Sequence, residues 1–102
     1  MTIPASTDDI LKALANPVRR KILAALKTPA QSFPGQAHPY EWGVCANRIE
    51  ATCGLAQSTI SAHLAALTQA GLLTSTKIGQ WVFHARNEPA IAAFLAQISE
   101  NL

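Results

Sequence analysis

The sequence predicts a mainly α-helical domain that carries one two-stranded β-hairpin, an α+β fold. Two observations predict this class. Apolar residues recur at helical spacing in several separate stretches, and residues 72–86 read as two short strands joined by Gly79-Gln80. The chain has 102 residues, enough for one hydrophobic core, so we expect a single domain over residues 1–102.

Composition excludes several other classes. No apolar run reaches the ~20 residues that a membrane span needs. The first nine residues have neither the basic start nor the apolar core of a secretory signal. We therefore expect a cytoplasmic protein without a membrane partner. The formal net charge of +2 is weakly basic, so affinity for nucleic acid must come from local placement of charge, which a dimer would double.

The first two helices have recognisable starts. Ser6 or Thr7 can cap the first helix, and Asn16 followed by Pro17 is typical of the start of the second, which we expect to run to about residue 27. The second helix carries three adjacent basic residues, of which Arg20 is our candidate for a phosphate contact. The alternative is a solvated flank, the usual role of such a cluster.

Residues 28–43 are predicted to form a long irregular loop, because they contain three prolines and two glycines. Loops of this length inside a compact domain are usually functional or mobile. The loop also carries Phe33, His38, Tyr40 and Trp42. We expect these rings to pack on the domain or on a partner subunit. A contribution to a ligand or effector pocket is the alternative.

A short third helix is predicted over residues 44–53, ending at Gly54. Residues 54–56 then form the turn that leads into a further helix, which ends at Gly71. Ala56 stands where Ser would be a better cap for that helix.

The helix that follows the turn has two contrasting faces. Ile60, Leu64 and Leu67 form a buried stripe, whereas the opposite face is short, polar or small, and uncharged. Such a face suits the DNA major groove, since its hydrogen-bonding groups reach base edges and its small residues allow close approach. The alternative is an ordinary amphipathic helix. The predicted DNA-binding residues of this face are Gln57, Ser58, Thr59 and Ser61, which should reach base edges, and Ala62.

The hairpin follows this helix directly, with strands predicted over residues 72–78 and 81–86. Lys77 and Gln80 lie at its tip, where they would contact the DNA backbone or minor groove. A helix that leads straight into a hairpin is the recognition helix and wing of a winged helix-turn-helix. The predicted partner is therefore double-stranded DNA.

A last helix, capped by Asn87, completes the chain. Its apolar stripe and that of the first helix together contain more apolar side chains than a core of this size needs to bury. We therefore predict a dimer interface. The predicted interface residues are Ile10, Leu14, Ile91, Phe94, Leu95 and Ile98.

This order of elements resembles the ArsR/SmtB family of winged-helix repressors. The likeness rests on residues 14–23 (LANPVRRKIL), 54–64 (GLAQSTISAHL), 70–73 (AGLL) and 79–83 (GQWVF). The resemblance implies a homodimer that joins its first and last helices, binds an inverted repeat near a promoter and represses transcription. It also implies that a metal or another signal weakens DNA binding.

The metal sites common in this family are incomplete here. Cys45 matches the first cysteine of the family's Cys-x-Cys pair, but Asn47 stands at the second. One thiolate does not make a three- or four-coordinate site. The family's other site uses Asp and His on the last helix, and residues 87–102 contain neither. We expect no metal and no cofactor. A makeshift site from His38, Cys45 and the other subunit is the alternative.

The two cysteines are expected to be free thiols in a cytosolic protein. On one helix, the Cα atoms of Cys45 and Cys53 would be roughly 12 Å apart, whereas a disulfide needs about 7 Å or less. A bridge would therefore require the third helix to unwind. A helix start favours the thiolate, which makes Cys45 our candidate sensor of oxidants or electrophiles. Cys53 is expected to pack in the core or to serve as the bridge partner.

We thus predict a DNA-binding repressor, with a winged-helix module that binds another protein as the rival. An enzyme is not expected. No Ser-His-Asp set, paired carboxylates or phosphate-binding loop can be recognised.

Overall fold

A computed structural model describes residues 6–102. Residues 1–5, which begin both the predicted domain and the segment that we expect not to be a secretory signal, lie outside the described residues. The mainly α fold with a hairpin is confirmed. Within the described range the elements follow in this order: α1 (Thr7–Leu14), α2 (Pro17–Ala25), α3 (Pro29–Ser32), a 3₁₀ helix (Tyr40–Trp42), β1 (Val44–Cys45), α4 (Ala46–Cys53), α5 (Gln57–Gln69), β2 (Leu73–Ile78), β3 (Trp81–Arg86) and α6 (Glu88–Asn101).

The predicted helix starts are confirmed by their hydrogen bonds. Ser6 caps α1, because its Oγ accepts from the backbone N–H of Asp9 at 3.1 Å and the Asp9 carboxylate accepts from the N–H of Ser6. Asn16 Oδ1 accepts two N–H groups at the start of α2. Asn87 caps α6 in the same way. Ala56, as expected, offers α5 no side-chain cap.

The sheet has three strands rather than the two predicted, in the order β1-β3-β2, and all pairs are antiparallel. The additional strand is Val44–Cys45, which pairs with β3 through Val44 opposite His84 and Cys45 opposite Phe83. The helix predicted over residues 44–53 therefore begins two residues later. The partners of Val44 and Cys45 lie about forty positions later in the chain. A strand of only two residues is also too short to show an alternating pattern in the sequence.

One hydrophobic core joins the helices to the base of the wing. Its most deeply buried side chains come from α2, the 28–43 loop, β1, α4, α5 and the hairpin: Ile22, Phe33, Val44, Ile49, Ile60, Leu67, Leu72 and Phe83. In the part of the chain that the structure describes, no helix is long and apolar enough to cross a membrane.

The 28–43 loop is more ordered than its composition predicts. It contains α3 and the 3₁₀ helix, and Phe33 is only 2% exposed. The Tyr40 hydroxyl donates to the carbonyl of Phe33 and accepts from the N–H of Gln36. His38 and Trp42 pack with Trp81 and Phe83 of the hairpin, at centroid separations of 5.3–5.9 Å. The predicted packing of the loop aromatics is confirmed.

Gln36 fastens this loop to the sheet. Its Oε1 accepts from the N–H of Cys45 at 2.8 Å, and its Nε2 donates to the carbonyls of His38 and Gly43 at 3.1 Å each. Gly43 has φ +104°, and a Cβ there would lie 2.7 Å from the carbonyl oxygen of His84. Only glycine therefore allows the loop to approach β3 this closely.

Candidate nucleic-acid interface

Helix α5 exposes the whole of its predicted DNA-contacting face. Ile60, Leu64 and Leu67 are buried against the core, at 0–3% exposure. The opposite side chains all stand in solvent: Gln57, Ser58, Thr59, Ser61 and Ala62. No charged residue lies between residues 56 and 72. The face offers hydrogen-bonding groups without charge.

The hairpin tip is also exposed. Lys77 and Gln80 flank the Gly79 turn and project into solvent. Between the hairpin and α5 lies a groove of about 440 Å³, lined by Ser61 and Gln69 on the helix and by Ser75 and Val82 on the strands, among others. Ser61 of the predicted DNA-contacting face thus borders a groove that α5 shares with the hairpin strands.

Arg20, the predicted phosphate contact, is exposed on α2, and its Nη1 donates to the carbonyl of Leu14 at 2.6 Å. Part of its guanidinium is therefore used to join α2 to the end of α1. The neighbouring Arg19 is half-buried, and its Nε donates to Nδ1 of His63 on α5 at 3.1 Å. This bond ties α2 to α5. Sequence reasoning missed it, since residues 44 positions apart share no periodicity.

His84 was not a sequence candidate, although it lines the groove. It is 8% exposed, and its Nδ1 has no hydrogen-bond partner within residues 6–102. Burial lowers the pKa of the imidazole below its ordinary value, because the charged form loses hydration. The ring is therefore neutral at neutral pH.

Arg86 fixes the far end of the hairpin. Its Nη1 donates to the carbonyl of Leu23 on α2 at 2.9 Å, and its Nε pairs with the Glu88 carboxylate. That hydrogen bond lowers the pKa of Glu88. Arg86 is thus bound to its own protomer rather than directed at a ligand.

The two cysteines lie at opposite ends of α4, and both are free thiols. Cys45 belongs to β1 and is the residue before the helix, which corrects its predicted place inside the helix. It is 7% exposed. Cys53 ends α4 and is half-buried against the core, as expected for a packing residue, and burial raises the pKa of its thiol.

The alternative metal site, from His38, Cys45 and the other subunit, stays a prediction. Cys45 and His38 do line one small cavity of about 200 Å³, together with Arg48 and Trp81. Between Ser6 and Leu102, however, no three His, Cys, Asp or Glu side chains are grouped closely enough to hold a metal ion.

The predicted dimer residues differ in how far this protomer already buries them. Ile10 and Phe94 lie in its core, at 9% and 8% exposure. Leu14, Ile91 and Ile98 are half-buried against that core. Leu95 alone among the six is widely exposed, at 58%. Hydrophobic spacing shows that a stripe is buried, but it cannot show which chain covers it.

Two helices joined by a three-residue turn, followed by an antiparallel hairpin, define a winged helix-turn-helix protein. Residues 45–75, which span α4, α5 and the first half of β2, match the model of the bacterial regulatory protein arsR family. The chain is 36% identical over 89 residues to the uncharacterized HTH-type transcriptional regulator YbzH of Bacillus subtilis, covering 81% of this chain and 85% of that protein. The protein belongs to the ArsR family of transcriptional regulators.

Solved structures share this fold. The fold is similar to the crystal structure of an ArsR family transcriptional regulator, with a TM-score of 0.69 and 20% identity over 92% of this chain and 84% of that chain. It is also similar to the transcriptional regulator HlyU from Vibrio vulnificus, with a TM-score of 0.58 and 28% identity over 92% and 85% of the two chains.

Proposed function

We propose that this protein is a homodimeric repressor that binds an inverted-repeat operator, with one α5 in the major groove of each half-site. The observation that carries the proposal is the exposed, uncharged face of α5 beside the exposed hairpin tip. Amide and hydroxyl groups there match the donors and acceptors of base edges. Small side chains such as Ala62 allow the helix to approach the bases closely.

Positive charge comes from residues at the edges of this surface rather than from α5. Lys77 at the hairpin tip and Arg20 on α2 are exposed cations suited to the phosphate backbone. Phosphate contacts position a protein on DNA, whereas base contacts specify the sequence. A dimer doubles both kinds of contact and sets two half-sites about 34–36 Å apart, one turn of DNA.

Two substitutions test the DNA contacts. Gln57→Ala should weaken binding to the cognate site by about 1–3 kcal/mol and relax its sequence preference. Lys77→Ala should weaken binding to all sequences alike and flatten the salt dependence. Fluorescence anisotropy with fragments from the gene's own upstream region measures both effects.

The matched controls are Gln97→Ala and Lys27→Ala, which truncate exposed side chains outside the proposed surface. They should bind as the wild type does. If Gln57→Ala and Lys77→Ala also leave affinity unchanged, α5 is not the recognition helix. The rival function, a module that binds protein, then gains support.

The dimer is tested at Leu95, because Phe94 is needed by the protomer's own core. Leu95→Asp would place a charge in the proposed apolar contact, which is strongly unfavourable without a partner charge. Sedimentation should show a monomer that has lost operator binding. Gln97→Asp adds the same charge to α6 at another exposed position and should stay dimeric. A wild type that is monomeric at micromolar concentration would refute the interface.

For the signal, we propose modification of the Cys45 thiol by oxidants or electrophiles, without the family's usual metal sites. Cys45 joins β1 to α4, and it borders two small cavities beside Trp81 through which a reagent could reach it. Added bulk there would displace α4, which supports α5. Since its target is chromosomal DNA, we place the protein in the cytoplasm.

Diamide or a quinone should release DNA from the wild type, Cys45→Ser should resist release, and Cys53→Ser should show whether a bridge takes part. Zinc and arsenite should have no effect. Release by substoichiometric zinc would instead support a metal site that includes Cys45. An equal response of Cys45→Ser and wild type would leave Cys45 as a packing residue.

A further inference from the structure

A second cavity, of about 340 Å³, lies between α2, the Phe33 region and the end of α4. Its wall is mostly apolar, with Val18, Ile22 and Ala25 from α2, Phe33 from the loop, and Leu55 from the turn before α5. Small-molecule sites are typically apolar clefts of about 300–1,000 Å³ with a few polar groups. This cavity falls at the small end of that range.

Few polar groups line the cavity, and the charge among them is positive. Lys21 is the one charged side chain among the described residues that line it, and it makes no ion pair with an acidic residue between positions 6 and 102. Ser32 and Thr52 contribute hydroxyls. Burial raises the pKa of the Cys53 thiol, so this group stays uncharged at neutral pH. The wall therefore has a cation without a counter-charge.

We propose that this cavity binds a small monocarboxylic acid with an apolar body, and that the acid acts as an effector of DNA binding. The apolar body fits against Ile22, Ala25 and Phe33, while the carboxylate pairs with the ammonium of Lys21, an exposed residue that borders the cavity. The effector role rests on the proposed DNA-binding function, whereas the binding site itself does not.

The cavity touches both supports of α5. Leu55, in its wall, belongs to the three-residue turn that leads into α5. Helix α2, which forms the opposite wall, holds α5 through the Arg19–His63 hydrogen bond. A ligand that shifts α2 relative to the turn therefore changes the placement of α5. We expect this change to weaken operator binding, and by linkage the operator then weakens binding of the acid by the same factor.

Cys53 provides a direct reporter of occupancy, because its thiol lines this cavity whereas Cys45 lines two others. Alkylation of each cysteine by iodoacetamide at alkaline pH, where part of the Cys53 thiol ionises, can be followed by peptide mass spectrometry on the full-length protein. The probes are octanoate, benzoate and 2-naphthoate, each compared with its neutral amide. At least one acid should protect Cys53 saturably without protecting Cys45, and its amide should need about tenfold higher concentration.

Two pairs of variants locate the site. Ala25→Leu fills the cavity and should abolish protection, whereas Ala24→Leu makes the same change at an exposed neighbour and should not. Lys21→Gln should raise the dissociation constant of the acid about tenfold and leave that of the amide unchanged. Lys27→Gln removes an exposed charge outside the cavity and should change neither.

Operator binding is then measured with and without the acid that protects Cys53. The wild type should bind the operator at least about fivefold more weakly with the acid. The operator affinity of Ala25→Leu, whatever its value without the acid, should not change when the acid is added. The site is overturned if no acid protects Cys53, if each amide equals its acid, or if Ala24→Leu behaves as Ala25→Leu does.

If the acid binds but the operator affinity is unchanged, the effector role is overturned while the proposed binding site stands. Failure of the wild type to bind DNA at all would instead overturn the proposed function, while protection of Cys53 would still report on the cavity.

Discussion

The 28–43 loop and the hairpin tip both reverse the chain beside β3, yet they use their polar side chains in opposite ways. In the loop, Gln36 directs its amide inward and bonds three backbone groups. At the hairpin tip, Lys77 and Gln80 direct their side chains into solvent. The loop therefore holds the sheet in place, whereas the tip is free to meet a partner. Under the proposed function, stability and DNA recognition therefore depend on different segments.

The largest expected contrast is between two glycines with positive φ. Gly43→Ala should lower the free energy of unfolding by about 3–5 kcal/mol, because strain at φ +104° adds to a clash with the His84 carbonyl. Gly79→Ala should cost only about 1–2 kcal/mol, since nothing lies within 4 Å of its Cβ. Denaturant unfolding monitored by circular dichroism compares them. Equal losses would mean that the loop is no more constrained than the tip.

Two glutamines, one in the loop and one at the hairpin tip, extend the comparison to the hydrogen bonds of their side chains. Gln36→Ala should destabilise the protein by about 2–3 kcal/mol, because the buried N–H of Cys45 and two carbonyls lose their partner. Gln80→Ala should stay within about 0.5 kcal/mol of the wild type but weaken operator binding. If Gln36→Ala unfolds at the same denaturant concentration as the wild type, the amide is not what fastens the loop.

The smallest expected effect concerns His84, whose backbone meets the loop and whose ring faces the groove. Burial lowers its pKa below 6.5 in the folded state, so the unfolded chain binds the proton more readily. The free energy of unfolding should therefore fall as pH drops below about 6.5. His84→Leu should flatten this dependence in thermal melts between about pH 7.5 and pH 5.5.

Glu88→Gln is the control for His84. The pKa of Glu88 is lowered from 4.5 by its hydrogen bond with Arg86, so its stabilisation is present at neutral pH and is lost only at lower pH. This control should keep the dependence that His84→Leu loses. An unchanged slope in His84→Leu would mean that His84 is not the group that titrates.

Local chemistry made much of the fold predictable. The caps at Ser6, Asn16 and Asn87 depend on side chains within three residues of the groups they bind. The two faces of α5 follow from helical periodicity alone. The exposed positions of Gln57 and Lys77 could therefore be inferred from the sequence.

Long-range contacts left no such signal. Strand β1, the Gln36 bonds and the Arg19–His63 bond join residues far apart or in irregular segments, so neither propensity nor periodicity indicates them. Phe94 shows a different limit of prediction from sequence. Its apolar stripe was expected to face a partner subunit, but the folded chain already covers Phe94 and leaves Leu95 exposed.

The absence of charge on α5 has a consequence for how the protein would search a chromosome. Binding to random sequence is carried by phosphate contacts and falls steeply as salt rises. Hydrogen bonds from an uncharged helix to base edges release no counterions, so they depend far less on ionic strength. Because the phosphate contacts are common to both kinds of site, raising the salt should weaken binding to the operator and to random sequence by similar factors. The preference of this regulator for its operator should therefore survive when a cell concentrates its ions under osmotic stress.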